Sequence, residues 1–303
     1  MELASGTSSQ QAAPVAAAGS IERRSNLSRE EFTREYLLPH KPVIITDALR
    51  HWKAIDKWTP EYLRDRAGEH EFVVDGKTWK LKDLVAAVRE SSAANPAPYL
   101  RNQPVQNLGA EWLADISPMP DYARPNWLET KFFPGKVHQR LGRAVIADFF
   151  LGGAGRSFPC LHYDLLNSHA FLGEIYGHKM YTMYSPDQTP FLYAKSDNPI
   201  ESTVNLQNPD LSRHPLFEKA RAIQGVLNPG EMIFIPARWW HTAKNLDAAI
   251  TISINVVNAS NWNGLVKDQY EWSQRSKYRA IRLSALPYAA YLRGVGLYRS
   301  IVG

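Results

Sequence analysis

The chain has 303 residues, of which 44% are hydrophobic and 11% aromatic, so it is long enough to bury a sizeable core. The formal net charge is +5, but Lys and Arg are interspersed with Asp and Glu, which argues against a nucleic-acid partner. The single cysteine, Cys160, excludes an intramolecular disulfide, and no apolar run approaches the roughly 18 residues of a membrane span, so we expect a cytoplasmic protein with no membrane partner.

Residues 1–25 are rich in Ala, Ser, Gln and Gly, and they lack the basic and apolar regions of a signal peptide. Bulky apolar side chains are scarce in this stretch. Burial of so few apolar groups cannot offset the entropy lost when a segment is ordered. The composition therefore predicts a disordered tail over residues 1–25.

The next segment, residues 26–130, carries alternating helix and strand signals. Capping residues followed by acids or proline predict helix starts, β-branched runs predict strands, and an Asp-Gly pair favours a tight hairpin turn. In chain order we expect a helix capped by Ser28, a buried strand over 42–46, a helix after Thr59, a hairpin about Asp75-Gly76, a helix over 82–90, and loops with short helices over 95–127. This segment should pack against the β-rich part of the chain.

Residues 131–260 read as a β-rich unit, because short apolar and β-branched runs alternate with Gly and Pro turns. Such spacing is typical of a sandwich or barrel. The fold class that we predict is mainly β with flanking helices. The predicted strands cover 144–151, 160–164, 170–176, 179–184, 230–236 and 249–257. Residues 261–303 predict C-terminal helices broken near Pro287.

A candidate metal site is formed by His162-Tyr163-Asp164 together with the distant His241. Side chains two residues apart on a strand point to the same face, so one ion can contact both His162 and Asp164. Two imidazoles and one carboxylate suit non-haem Fe(II), because they leave coordination positions open. A lone histidine is more often a core residue bonded to a carbonyl, but this spacing favours metal ligation.

The ordered set of motifs resembles the JmjC-type, cupin-8-like family of Fe(II)- and 2-oxoglutarate-dependent oxygenases, including the group of the asparaginyl hydroxylase of hypoxia-inducible factor. The motifs are His162-Tyr163-Asp164, Gly177-His178-Lys179, the run from Asn228 to Pro236, and Trp239-Trp240-His241. The resemblance covers about residues 28–260. It implies a double-stranded β-helix, or cupin-type jelly-roll barrel, with the metal at one mouth.

The resemblance also implies the cofactors Fe(II) and 2-oxoglutarate. His162, Asp164 and His241 would be the catalytic metal ligands, and Lys179 would bind the distal carboxylate of 2-oxoglutarate. Asn255 matches an asparagine of the co-substrate pocket, although an edge-strand position would explain it equally well. Where relatives often carry a hydroxyl, this chain has Pro159. A donor must then come from elsewhere, and the candidates are Tyr181, Tyr184, Ser157 and Thr182. The asparagine that relatives usually carry in this pocket also has no match at the expected position. The residues near that position are Asn167, Ser168 and His169.

The resemblance implies oxidative decarboxylation of 2-oxoglutarate coupled to hydroxylation of a C–H bond, with O₂ as the other co-substrate. The substrate would be a protein, a peptide or an amino-acid-like molecule. The alternative is a metal-binding cupin without turnover that acts as a binding or interaction module. The C-terminal helices would form a homodimer, cover the substrate, or present a solvated basic face. The side chains of Trp239 and Trp240 would either pack or contact substrate.

Overall fold

The structure is a computed structural model that describes residues 17–129 and 147–302. Within these ranges the strands are β1 Ala17–Ser20, β2 Glu22–Arg24, β3 Val43–Ile45, β4 Glu71–Val74, β5 Lys77–Lys80, β6 Leu100–Pro104, β7 Asp148–Gly152, β8 His169–Tyr176, β9 Lys179–Tyr184, β10 Ala222–Leu227, β11 Met232–Ile235, β12 Trp240–Asn245 and β13 Ala249–Val256. The α-helices are α1 Arg29–Phe32, α2 Ala54–Lys57, α3 Pro60–Ala67, α4 Leu81–Arg89, α5 Ala110–Asp115, α6 Trp262–Gln274 and α7 Arg279–Val302. The π-helical turn Thr33–Leu37 extends α1, and short 3₁₀ turns lie in the loops.

Two sheets form a double-stranded β-helix, which confirms the predicted fold class. The larger sheet has the strand order β2-β3-β11-β8-β13-β7-β6, and the smaller has the order β1-β10-β9-β12. Most neighbouring strands pair antiparallel, while β1 and β2 add to the sheets in parallel. The hairpin β4-β5 stands apart from both sheets.

Strand alternation separates an apolar outer face of the larger sheet from a more polar inner face. On β13, Ile250, Ile252 and Ile254 belong to the main hydrophobic core, which packs the sheet against the N-terminal helices. Ser253 and Asn255, which point to the opposite face of the strand, line a cavity between the sheets. Strand β13 pairs with β8 on one side and β7 on the other, so the edge-strand explanation of Asn255 is wrong.

The main core fixes the N-terminal helices on the larger sheet. Trp58 and Leu63 are fully buried, and the indole Nε1 of Trp58 donates to Asp115 Oδ2 at 2.9 Å. Full burial of such a large side chain stabilises the fold by roughly 2–3 kcal/mol. This packing fixes the outer face of the larger sheet on the N-terminal helices, while the inner face carries polar groups.

Several local predictions are confirmed. Ser28 caps α1 in a capping box with Glu31, and Thr59 caps α3 with Pro60 in its first turn. The Asp75-Gly76 turn joins β4 to β5, and both residues have positive φ, of 50° and 78°. These elements are predictable from the sequence because each depends on contacts between residues close in sequence.

The N-terminal tail prediction is wrong for residues 17–25. Strand β1 pairs in parallel with β10, and β2 pairs with β3, while Ile21 between them is 3% exposed. Strand β1 is ordered by pairing with a strand about 200 residues away and β2 by pairing with one about 20 residues away, and local composition reveals neither pairing. Residues 1–16 lie outside the described residues.

Further corrections concern individual elements. Residues 160–164 do not form a strand but an irregular segment with an isolated bridge at His162. Helix α7 runs through Pro287 without a break, and the helical segments part instead between Gln274 and Arg279. The stretch 95–127 contains a strand, β6, besides its loops and short helices.

Strands β10 and β12 were missed. Both carry polar residues and a glycine or lysine that dilute the apolar pattern. The predicted strand over 144–151 is confirmed only in part, as β7, because residues 144–146 lie outside the described part of the chain. The predicted boundary between residues 130 and 131 also lies outside the described residues. Among the described helices, none combines the length and apolar character needed to cross a bilayer.

Candidate metal centre

The structure brings together the three predicted ligand side chains. His162, Asp164 and His241 each offer a donor atom, and these atoms lie within 4.8 Å of one another. His162 Nε2 is 4.0 Å from Asp164 Oδ1, and the two imidazole centroids are 4.4 Å apart. Small side-chain rotations bring donors at these separations onto one ion. No other group of this kind occurs among residues 17–129 and 147–302.

Backbone pairing explains how a distant histidine meets the first two ligands. The amide N of His162 donates to the carbonyl O of His241 at 3.1 Å, and the amide N of His241 donates back to the carbonyl O of His162. The two residues are therefore direct cross-strand neighbours at the end of β12. Side chains of such a pair stand side by side. Asp164 joins them from the same irregular segment as His162.

Both imidazoles are held in the form that binds metal. His162 Nδ1 lies 3.3 Å from the carbonyl O of Cys160, and His241 Nδ1 lies 3.0 Å from that of Trp239. Donation from Nδ1–H to a carbonyl leaves Nε2 as the free lone pair. Burial, with His241 beside it, holds the pKa of His162 well below its usual range, so this imidazole is neutral at pH 7.

The carboxyl of Asp164 has the opposite shift. Burial raises its pKa, while His241 and the side-chain amide of Asn255 partly oppose the shift. A buried carboxylate without a full counter-charge is stabilised by a cation placed beside it. The neutral imidazole of His162, the imidazole of His241 and one destabilised carboxylate therefore fit a divalent transition metal.

Arg238 ties the two ligand-bearing segments together. Its Nη1 donates to the hydroxyl of Tyr163 at 3.0 Å, and its Nε donates to Asn167 Oδ1 at 3.1 Å. Its other terminal nitrogen bonds Asp268 on α6. The backbone of Arg238 has a φ of 69°, a left-handed conformation that costs energy for an arginine. The strain persists because the side chain is held at three points.

One cavity of about 380 Å³ connects the metal site to the interior of the barrel. This volume is typical of a site for a small ligand. Lys179 lines the far end, 2% exposed, four residues along β9 from Met183, the cross-strand partner of His241. Four strand residues span about 13 Å. A lysine side chain and a five-carbon diacid can together cover this separation.

The other predicted co-substrate residues divide into two groups. Tyr181 and Asn255 line the cavity, and Asn255 Nδ2 donates to Ser168 Oγ at 2.9 Å. Thr182 does not line the cavity, because its side chain lies on the other face of β9. There its Oγ1 accepts from Gln224 Nε2 at 3.0 Å. Its assignment as a co-substrate residue is therefore wrong.

The open alternatives are also resolved. Tyr184 belongs to a separate hydrophobic cluster, and Ser157 forms an isolated bridge to Lys244 outside the cavity lining. Of the three residues near the expected asparagine, Ser168 faces the cavity, whereas Asn167 and His169 bond the loop before α6.

Two cavity-end residues were not predicted from the sequence. Lys179 Nζ donates to the hydroxyl of Tyr99 at 3.3 Å and to Thr251 Oγ1. Tyr99 precedes β6 and Thr251 lies on β13, about 80 and 70 residues from Lys179 in the chain. No spacing signal links residues so far apart. Thr251 could have been predicted, because the alternation of side chains along β13 places it on the same face as Asn255.

The far end fits a carboxylate ligand. The hydroxyl of Tyr181 is buried and has no hydrogen-bond partner in the described part of the chain, and burial holds its pKa well above the usual value, so it remains a donor at pH 7. With Lys179 and Tyr99 it offers an ammonium and hydroxyl groups at one place. Charge-assisted hydrogen bonds of this kind are the strong ones.

The two tryptophans before His241 pack rather than line the cavity. Trp240 is fully buried, and its Nε1 donates to Thr189 Oγ1 at 2.9 Å. Trp239 Nε1 donates to the carbonyl O of His40 at 2.8 Å. These anchors fix the backbone that precedes His241.

Comparison with known sequences gives a consistent result. A sequence profile of the cupin-like domain family matches residues 28–257. The chain is 26% identical over 261 residues to lysine-specific demethylase JMJ21 of Arabidopsis thaliana, covering 82% of this chain and 26% of that protein. It is 32% identical over 250 residues to lysine-specific demethylase JMJ30 of the same plant, covering 77% and 54%.

A third relative is named for tRNA modification. The chain is 23% identical over 252 residues to tRNA wybutosine-synthesizing protein 5 of Gallus gallus, covering 75% of this chain and 74% of that protein. In contrast, the chain spans about a quarter to about half of the two demethylases.

Proposed function

The chain belongs to the cupin-like, JmjC-type domain family, and from this membership we propose that it is an Fe(II)- and 2-oxoglutarate-dependent oxygenase that hydroxylates a C–H bond. JmjC-type members of the family use Fe(II) and 2-oxoglutarate. One observation carries the proposal: a His-Asp-His group and a buried lysine lie at two ends of the same cavity.

We assign a role to each end of the cavity. His162, Asp164 and His241 hold the iron, which supplies the site for O₂ and for the keto acid end of 2-oxoglutarate. Lys179 and Tyr99 bind the distal carboxylate. This arrangement orients the co-substrate along the barrel axis, because its two charged ends find partners only at opposite ends. Tyr181 donates to the same carboxylate.

The mouth of the cavity bears on the substrate class. The guanidinium of Arg101 lies 5.0 Å from the ring centroid of Phe158, whose ring stacks on His162 with a centroid distance of 4.3 Å. Lys195 there is paired with Glu201 at 2.6 Å. Because Glu201 offsets the charge of Lys195, Arg101 is the positive charge that a cationic substrate group, such as a methylated lysine, would meet here. We therefore propose a protein, peptide or amino-acid-like substrate whose reacting side chain is neutral or acidic.

A cupin that binds metal without turnover is the alternative. Two features favour the oxygenase: the ammonium of Lys179, which is buried but lines the cavity, and beside it the hydroxyl of Tyr181, which has no hydrogen-bond partner among the described residues. A binding module would gain nothing from a charge that costs desolvation energy. The cytoplasmic location remains a prediction from the single cysteine.

The test is co-substrate turnover without added substrate. Purified protein given Fe(II), ascorbate and 2-oxoglutarate is expected to release succinate slowly, because uncoupled decarboxylation needs only the iron site and the co-substrate pocket. Succinate is measured by NMR, with an iron chelator as the control. Absence of both succinate release and 2-oxoglutarate binding would contradict the oxygenase assignment and favour the binding module.

We also propose that α7 forms a homodimer with a second copy of the chain. Its inner face packs Ala289 and Leu292 against α6, but its outer face exposes Leu283, Leu286, Leu297 and Ile301 by 65% or more. Leu283 and Leu286 are three residues apart, Leu286 and Leu297 eleven, and Leu297 and Ile301 four, with Ala290 and Gly294 between the two pairs. The spacing suits a helix pairing with a copy of itself, and the small residues permit close approach.

Light scattering after gel filtration tests the dimer. The wild-type protein is expected to have twice the chain mass, and the double variant Leu286→Glu, Leu297→Glu is expected to be monomeric, because charges would be buried at the interface. Leu211→Glu, at another exposed leucine, is the matched control and should leave the dimer intact. A monomeric wild-type protein at micromolar concentration would rule the proposal out.

A further inference from the structure

A second charged group lies buried behind Lys179. Glu174 on β8 is 0% exposed, and its Oε2 accepts from Thr251 Oγ1 at 3.0 Å. Its Oε1 is buried and has no hydrogen-bond partner among residues 17–129 and 147–302. Glu174 has no part in holding the iron or in binding the distal carboxylate. A buried carboxyl with an unused oxygen is costly to retain.

Thr251 joins the carboxyl to the lysine. Its hydroxyl donates to Glu174 and accepts from Lys179 Nζ, so one oxygen bridges the acid and the ammonium. Both charged groups point inward from neighbouring positions of the barrel. Glu174 is therefore the resident acid behind Lys179, and it is a counter-charge to the ammonium only when it is ionised.

The charged and titratable groups around Glu174 come from several elements. They are Lys179 and Tyr181 on β9, Tyr99 before β6, Asp247 before β13, and the Arg23–Glu231 pair next to β11. Asp247 is bonded to His178 Nδ1 at 2.7 Å. Lys179 is thus the cation that faces Glu174 from the described elements.

A co-substrate carboxylate at Lys179 would place two acids beside one buried cation. Two ionised carboxylates cannot share a single charge in a water-poor site without a large energetic cost. We infer that Glu174 is a positioning residue of the co-substrate site, which takes up one proton from solvent when a diacid binds Lys179 and then remains neutral behind it. This inference rests on the proposed function.

The pH range follows from the environment of the carboxyl. Burial raises the pKa of Glu174 to about 8, against the opposing effect of Lys179. At pH 6.5 the acid is already neutral, so binding needs no proton. Well above pH 8 the acid is ionised in the free protein, and a bound carboxylate raises its pKa further, so binding takes up a proton. Affinity should then fall by up to about tenfold for each pH unit.

Isothermal titration calorimetry tests this directly. The full chain, loaded with Mn(II) under anaerobic conditions, is titrated with 2-oxoglutarate at about pH 6.5 and about pH 9, each in two buffers of different ionisation enthalpy. We expect proton uptake near zero at the lower pH and near one at the higher. The wild-type measurement alone can overturn the inference, if binding shows no such proton uptake.

Glu174→Gln is the matched variant, because it keeps the shape of the side chain and removes the titration. It should bind 2-oxoglutarate with the same affinity at both pH values and with no proton uptake. Uptake that persists in this variant would assign the proton to another group and refute the inference. Absence of any 2-oxoglutarate binding in the wild-type protein would instead contradict the proposed function as well.

Discussion

Asp164→Ala is expected to lower iron-dependent 2-oxoglutarate turnover by at least about 1000-fold, since loss of an outer partner of a ligand already costs 10–100-fold and this change removes a ligand itself. The remaining ligands His162 and His241 are imidazoles, which carry no negative charge to balance the metal as a carboxylate does. Succinate release and bound iron per chain are the measurements.

The fold should survive this substitution. Because burial raises the pKa of Asp164, the ionised carboxylate destabilises the metal-free protein near neutral pH, and its removal should not lower the melting temperature. Asp187→Ala, at an exposed aspartate of a 3₁₀ turn, is the matched control and should retain turnover. Wild-type turnover in Asp164→Ala would refute the metal-site assignment.

Lys179→Met should weaken 2-oxoglutarate binding by about 100-fold or more. Methionine fills a similar volume but removes an ammonium group that is 2% exposed and bonded at the cavity end. A hydrogen bond to a charged group contributes about 1.5–3 kcal/mol, so losing the ammonium costs one to two powers of ten per bond. Calorimetry with Mn(II)-loaded protein gives the dissociation constant.

The effect should be specific to the cavity. Lys244→Met makes the same change at an exposed position of the neighbouring strand β12 and should bind 2-oxoglutarate like the wild type. Iron content should be normal in both variants, because neither lysine contacts the metal ligands. Equal affinity of Lys179→Met and wild-type protein would show that the distal carboxylate binds elsewhere.

The three candidate metal ligands lie together in the structure, but for a reason that differs from the one that the sequence suggests. Strand alternation was expected to align His162 with Asp164, but the segment that carries them is irregular. What brings the ligands together is the backbone pair between His162 and His241. A spacing of two residues was informative, although the regular strand inferred from it was not present.

Co-substrate contacts were harder to predict because they depend on tertiary structure. Thr182 and Tyr181 are adjacent, and the alternation of β9 sends only Tyr181 into the cavity with Lys179. That same rule, applied to Lys179, could have excluded Thr182 from the sequence. Tyr99 could not be found this way, since its contact with Lys179 depends on how β6 joins the larger sheet.

The ends of the chain show the same limit. Residues 17–25 looked unable to order themselves, yet they complete both sheets by parallel pairing. Pro287 looked like a helix break, but α7 keeps its course, and Ala289, Leu292 and Val295 after the proline pack in one cluster with α6. Local propensity is overridden wherever long-range packing contributes more than the local cost.

The three-point hold on Arg238 has a consequence for metal affinity. One guanidinium fixes the distance between the segment that carries His162 and Asp164 and the turn that leads to His241, and it does so through Tyr163 and Asp268 rather than through any ion. The protein has thus met much of the entropic cost of assembling the ligands during folding. Capture of the metal can then proceed with little rearrangement, so binding strength is set by bond chemistry more than by loop ordering.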